Sequence, residues 1–107
     1  MKAKPHFTAL LTYVSSKEGG RQTPASSGYR PTIKFPFHQD MFSGIQNFVD
    51  TDLVFPGDTV TADITLPGAE PLMGKMYEGL DFDFFEGPVL IGSGVVTKVF
   101  RPDLSDK

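Results

Sequence analysis

The sequence predicts an all-β domain, and three observations lead to that prediction. Apolar and polar residues alternate with a period of two, most clearly over residues 60–66, which is typical of a strand with one buried face. Short runs of this kind are separated by the turn-forming pairs Gly19-Gly20, Pro56-Gly57, Pro67-Gly68 and Gly87-Pro88. Eleven glycines and nine prolines in 107 residues leave little room for a long helix.

The predicted strands follow in chain order. The first covers residues 7–14, and the second covers 29–37, where prolines at 31 and 36 suit a sheet edge, a strand start or a bulge. Strands at 60–66 and 80–84 alternate cleanly, and runs at 89–92 and 94–100 complete the set. Gly92 and Gly94 mark a bulge or a close backbone approach. The pattern is weak over 36–54 and 66–76, with one helical turn expected within 73–77.

Composition limits the function classes. A hydrophobic content of 39% with ten Phe predicts one globular core, over residues 1–100, followed by a mobile polar tail at 101–107. The absence of cysteine excludes disulfides and thiolate metal sites. No apolar run approaches the roughly 20 residues of a membrane helix, and no signal peptide is evident, so we expect a cytoplasmic protein without a membrane partner. The net charge of −3 argues against a general nucleic-acid binder.

Motifs for catalysis are missing from the sequence. The glycine-rich loop ending in Gly-Lys-Ser or Gly-Lys-Thr that holds phosphates does not occur, so we expect no bound nucleotide. His6 and His38 lie far apart, which predicts no metal site. The pairs Asp50/Asp52 and Asp81/Asp83 are expected to be solvated. We therefore predict no enzymatic activity and no cofactor.

A glycine-rich basic loop covers residues 18–31 and contains Arg21 and Arg30; with Lys34 these form the candidate basic site. Two interpretations of the arginines stay open. The guanidinium groups could recognise phosphate or a carboxylate of a partner. Alternatively, they could form ion pairs within the domain, with Glu18, Asp40 or Glu86 as acceptors.

Several motifs occur together in the order of a known family. They are Lys4-Pro5-His6, the loop Glu18-Gly19-Gly20-Arg21-Gln22-Thr23-Pro24, Phe55-Pro56-Gly57-Asp58, Glu78-Gly79-Leu80-Asp81-Phe82, Glu86-Gly87 and Gly92-Ser93-Gly94-Val95-Val96-Thr97-Lys98-Val99. In this order they resemble the third, C-terminal domain of elongation factor Tu. The resemblance implies a closed six-stranded antiparallel Greek-key β-barrel without a GTPase domain.

The resemblance also implies partners. In the family this domain has no chemistry of its own; it helps to hold the T-stem of aminoacyl-tRNA, contacts the GTPase domain and docks the nucleotide-exchange factor. Carried over by position, the RNA-contact candidates are Gln22, Thr32, Ser43, Glu86 and Gly87. Three family arginine positions are occupied by Asp81, Phe85 and Val89, which weakens electrostatic attraction to phosphate.

Two functions follow as hypotheses. The first is a non-enzymatic binding module that contacts a protein partner or itself; the alternative is a weak RNA-binding module associated with translation that grips a tRNA stem. The RNA alternative needs a continuous positive patch, for which the candidates are Lys2, Lys4, Lys17, Arg21, Arg30, Lys34 and Lys98. The protein-binding hypothesis expects an exposed apolar patch, with candidates Phe42, Phe48, Phe55, Phe85 and Met76.

Overall fold

A computed structural model describes residues 5–68, 70–72 and 74–100, and confirms the all-β prediction. The strands are β1 Phe7–Tyr13, β2 Ala25–Ser26, β3 Thr32–Lys34, β4 Met41–Ser43, β5 Ile45–Phe48, β6 Leu53–Val54, β7 Thr59–Thr65, β8 Asp81–Glu86 and β9 Val89–Val99. Helical structure in the described part of the chain is limited to two 3₁₀ turns, Ser16–Glu18 and Glu70–Leu72. No helix among these residues has the length and apolar character to cross a membrane. The predicted tail at 101–107, together with Lys2 and Lys4, lies outside the described residues.

The main sheet has seven antiparallel strands in the order β4-β3-β8-β9-β1-β7-β5, and β2 pairs with β6 in a separate two-stranded ribbon. β1 lies near the centre and pairs along its length with both β7 and β9. The sheet is curled, and it ends at β4 on one side and β5 on the other. The expected closed six-stranded barrel is therefore wrong in strand number and in closure.

Proline chemistry explains why no continuous ladder joins the two ends of the sheet. Gly44 separates β4 from β5, and its N–H donates to the Pro31 carbonyl at 3.1 Å. Proline has no N–H, so Pro31 cannot return a hydrogen bond. Pairing in this region is reduced to one isolated bridge between Tyr29 and Gln46.

The predicted strand boundaries hold best where alternation is clean. β1, β7 and β8 match their predicted runs, and the last two runs form the single strand β9. The predicted strand at 29–37 shrinks to β3, because the prolines at 31 and 36 bound it. β4, β5 and β6 were not predicted from the weak pattern of 36–54. The helical turn predicted within 73–77 instead lies at Glu70–Leu72; of the predicted range, residue 73 lies outside the described residues.

The core is built from aromatic rings that contact glycine backbone. Phe82 and Phe84 on β8 point inward and are buried. A Cβ added at Gly94 would lie 2.4 Å from the Phe82 ring, and one at Gly92 would lie 2.4 Å from the Phe84 ring. The predicted close approach at this glycine pair is confirmed, because the two rings occupy the space that a side chain on β9 would need.

Candidate functional site

The basic loop is held against one end of the sheet by glycine packing. The Gly20 N–H donates to the Ser15 carbonyl at 2.9 Å. A Cβ at Gly20 would lie 2.1 Å from the Val14 carbonyl oxygen, so only glycine fits at this position. This contact directs the following residue, Arg21, back toward β8.

Arg21 is engaged by groups of the same chain. Its Nη1 donates to the Glu86 carboxylate, which forms a salt bridge with it. Nε donates to the Thr23 carbonyl at 3.2 Å, and Nη2 contacts Thr23 Oγ1 at 3.3 Å and the Pro24 carbonyl at 3.4 Å. The guanidinium also lies 4.7 Å from the centre of the Tyr29 ring. Of the two interpretations of Arg21, the structure shows the intradomain pair with Glu86.

Two tyrosines and a glutamine form hydrogen bonds next to this pair. Tyr29 donates its hydroxyl to Glu86, and the Tyr13 hydroxyl donates to Gln46 Oε1 at 2.5 Å. Burial raises the pKa of Tyr13 well above its ordinary range, and the nearby Tyr29 raises it further. Burial also raises the pKa of Tyr29, against the opposing effect of Arg21. We call Tyr13, Arg21, Tyr29, Gln46 and Glu86 the cap network, because they cover one end of the aromatic core.

The RNA-contact candidates are brought to the same end of the sheet. On the outer face Thr32 lies opposite both Ser43 and Phe85. Glu86 and Gly87 follow in the turn between β8 and β9, and Gln22 follows Arg21. The Glu86 carboxylate is already bound by Arg21 and Tyr29, and the Gln22 amide donates to the Gly20 carbonyl at 3.3 Å.

Lys34 and Arg30 have different surroundings. Lys34 donates to the carbonyls of Phe35 and His38. It also lines a hollow of about 140 Å³ together with Asp81 and Asp83. Arg30 is exposed, and its guanidinium forms no hydrogen bond or salt bridge with another described residue. The described His, Asp and Glu residues include no group of three that could hold a metal ion.

An apolar row crosses the outer face of the main sheet. Leu10 on β1 lies opposite Val95 on β9 and opposite Thr61 on β7. The Thr61 carbonyl accepts a hydrogen bond from the Val49 N–H at 3.0 Å, just beyond β5. Cross-strand partners point to the same side of a sheet. Three exposed apolar side chains therefore lie in one row across the strands, with Thr61 between the last two: Val95 (38%), Leu10 (43%) and Val49 (51%).

The loop at 49–58, which we call the ribbon loop, begins at Val49, at the end of this row. Ser27 closes its first turn: its N–H donates to the Asp52 carbonyl at 2.9 Å and its Oγ accepts from the Phe48 N–H at 3.0 Å. Leu53 and Phe55 flank the buried Val54 and are 45% and 53% exposed. We call the five exposed side chains the outer apolar surface: Leu10, Val49, Leu53, Phe55 and Val95.

Only part of the predicted apolar patch is exposed. Phe55 is exposed as predicted. Phe48 and Met76 belong to the core, at 8% and 0% exposure, and so are wrong as surface candidates. Phe42 packs partly against the core and Phe85 is half-buried, because β4 and β8 pair with β3 on this side.

Sequence reasoning missed four residues of the outer apolar surface, although one signal was available. Leu10 occupies an outward position in the alternation of β1, between Thr8 and Thr12. An apolar residue at a position where the pattern expects a polar one could have marked this face. The remaining residues are visible only once strand register is known.

Comparison with known protein families gives no match: no family model matches the sequence. The function of the chain is therefore argued from the residues of the site.

Proposed function

We propose that the chain is a non-enzymatic binding module that docks a protein partner on the outer apolar surface. We further propose that it is related to the third domain of elongation factor Tu. The observation that carries the protein-binding proposal is the register-aligned row of Val95, Leu10 and Val49.

The arrangement of these residues matters more than their number. Single exposed apolar side chains are common on protein surfaces, whereas contiguous ones typify interaction sites. Leu10 and Val95 lie on strands that are each paired on both sides, so their backbone is held before any partner arrives. A rigid surface loses little conformational entropy on binding, which favours affinity.

The relation to elongation factor Tu is supported by the placement of the resembling motifs. The turn Pro56-Gly57-Asp58 directly precedes β7, and Glu86-Gly87 lies at the hairpin between β8 and β9. The second motif lies where the paired antiparallel strands β8 and β9 connect, and the first lies in the connection between β6 and β7, which belong to different sheets. The RNA alternative finds less support, because Arg21 and Glu86 bind each other and Lys34 lies beside two carboxylates.

The proposal is tested with two matched pairs of variants. Leu10→Ser is paired with the control Leu90→Ser, because these residues are 43% and 42% exposed. Leu53→Ser is paired with Val89→Ser, both 45% exposed. Leu90 and Val89 lie on the β8–β9 hairpin, away from the outer apolar surface. Proteins retained from a cell extract are identified by mass spectrometry, purified and titrated against each variant by calorimetry.

We expect Leu10→Ser and Leu53→Ser each to weaken the purified complex by about tenfold, the effect of losing an interface residue worth about 1.4 kcal/mol. The hairpin controls should leave affinity unchanged. A partner bound equally well by all four variants would refute the proposed surface. Sedimentation that shows self-association dependent on Leu10 would replace the partner by a second copy.

A further inference from the structure

We infer that the partner presents a basic segment, with lysine or arginine side chains around a few apolar anchors. This inference rests on the proposed function, because it concerns the chemistry of whatever covers the outer apolar surface. It is carried by the charged side chains that strand register and sequence place beside that surface, which among the described residues are four aspartates and one lysine.

Three exposed carboxylates lie directly beside the apolar residues. Asp81 on β8 is opposite Val95. Asp50 and Asp52 lie in the ribbon loop between Val49 and Leu53. None of the three forms a salt bridge with a described residue. Asp50 and Asp52 are therefore available to cations of a partner, and Asp81, which also lines the hollow beside Lys34, adds negative charge at the end of the row.

The neighbouring cross-strand row adds a further negative charge. Asp63 lies opposite Thr8, two residues from Leu10, and accepts a hydrogen bond from the Thr8 hydroxyl at 2.8 Å. Within the part of the chain that the structure describes, Lys98 is a nearby cation, because it also lies opposite Thr8. Its ammonium lies 5.1 Å from the centre of the Phe100 ring. The surface therefore combines an apolar centre with an acidic rim.

The apolar centre and the acidic rim together favour one class of binding partner over the others. A second copy docked through the same face would bring two acidic rims together, which complementarity disfavours. RNA and anionic lipid surfaces would be repelled by the same carboxylates. A basic protein segment complements both the apolar centre and the acidic rim. Its apolar side chains can pack on the row, and its cations can pair with Asp50, Asp52 and Asp81.

The test uses three synthetic peptides as probes. The first carries leucines spaced among lysines and serines; the second replaces each lysine by glutamate, and the third replaces each leucine by serine. Each is titrated into the ¹⁵N-labelled full chain and followed by amide chemical shifts. The rim variant Asp50→Asn/Asp52→Asn/Asp81→Asn is compared with Asp40→Asn/Glu70→Gln/Glu78→Gln, which changes net charge equally at other exposed sites.

We expect only the lysine–leucine peptide to shift the amides of Leu10, Val49, Leu53 and Val95. Its affinity should fall about tenfold in the rim variant and fall similarly in concentrated salt, because salt screens exposed charges. The control triple variant should bind like the unmodified chain. Circular dichroism of each variant verifies that the fold is retained.

The outcomes separate the two proposals. Equal shifts at the outer apolar surface with the lysine and glutamate peptides would overturn the basic partner and leave the docking surface standing. An absence of shifts at this surface with both leucine-containing peptides would overturn the docking surface itself. Binding of the lysine–serine peptide as strongly as the lysine–leucine peptide would show a purely electrostatic contact and refute the apolar anchors.

Discussion

The basic loop and the ribbon loop leave the same end of the fold and meet in the two-stranded ribbon, where Ser26 lies opposite Leu53. They are stabilised differently. The basic loop is tied to distant parts of the chain, since Arg21 and Glu86 are 65 residues apart. The ribbon loop forms no salt bridge within the described residues. It is held by backbone bonds, such as the Tyr13 N–H to the Asp58 carbonyl at 2.9 Å, and by local bonds, such as the Phe55 N–H to Asp58 Oδ2 at 3.1 Å.

The two loops also differ in which side chains contact the rest of the chain and which are exposed to solvent. The basic loop directs its most prominent charged group, Arg21, into contacts within the chain, whereas the ribbon loop leaves Leu53 and Phe55 in solvent. The arginine that is conspicuous in the sequence therefore has its partners within the chain. The less conspicuous loop offers the surface on which we propose that a partner docks.

The largest expected effect is Gly20→Ala in the basic loop. Because a Cβ there would lie 2.1 Å from the Val14 carbonyl oxygen, we expect the free energy of unfolding to fall by about 3 kcal/mol, at the upper part of the overpacking range. In the ribbon loop, the Cβ of Gly57→Ala would lie 3.6 Å from the Ser15 Cβ, an ordinary van der Waals contact, but the φ of Gly57 is +91°. We expect it to cost about 1–2 kcal/mol. Urea denaturation measures both, and equal losses would remove this contrast between the loops.

The second prediction concerns Arg21→Ala, which removes the salt bridge and leaves Glu86 without its charged partner. We expect a loss of about 1–3 kcal/mol in the free energy of unfolding, the range for a hydrogen bond to a charged group. Arg30→Ala is the matched control and should change stability by less than about 0.5 kcal/mol. Unchanged stability of Arg21→Ala with loss of partner binding would instead make Arg21 a recognition residue.

Alkaline pH should loosen the cap network. The folded-state pKa of Tyr13 and Tyr29 is raised by burial. Their contribution to stability is therefore complete below the unfolded tyrosine pKa of about 10 and is lost as pH rises above it. Unfolding free energy measured in urea from neutral to alkaline pH should decline above about pH 10. Tyr13→Phe should decline less steeply, and an identical slope would contradict the assignment.

Replacing the exposed apolar side chains of the ribbon loop by serine should have little effect on the free energy of unfolding. Phe55→Ser and Leu53→Ser remove side chains that are about half exposed, so we expect changes within about 0.5 kcal/mol in thermal or urea unfolding. Affinity for a protein partner should fall in the same variants. A large loss of stability in either would show that this loop is packed as firmly as the basic loop.

The smallest expected signal is binding of tRNA. Arg21 is neutralised by Glu86, and the chain has a net charge of −3. We therefore expect affinity no tighter than about 10⁻⁴ M at physiological salt, the weak end of non-specific binding. Fluorescence anisotropy with labelled tRNA measures it. Submicromolar, salt-dependent binding that falls in Lys34→Ala would establish the RNA alternative.

Local pattern was sufficient to predict part of the fold. β1 and β7 alternate in sequence because each has one face on the core, and this information lies within seven residues of chain. Gly92 and Gly94 were identified for the same reason, because glycine within a strand pattern points to close packing. β4 and β5 carry no such signal. They are strands because β3 and β7 pair with them. A Cβ added at Gly44 between them would lie 2.2 Å from the Ile33 Cδ1, so the Ile33 side chain would have to move.

The all-β class and the inward and outward phase of the regular strands follow from the amino-acid sequence, because both depend on residues next to each other in the chain. The contact of Arg21 with Glu86 and the position of Leu10 between Val95 and Thr61 follow only from the folded chain. These outcomes depend on the register between distant strands. Register is set by the packing of the whole sheet, and a shift of one residue would turn Leu10 from solvent to core.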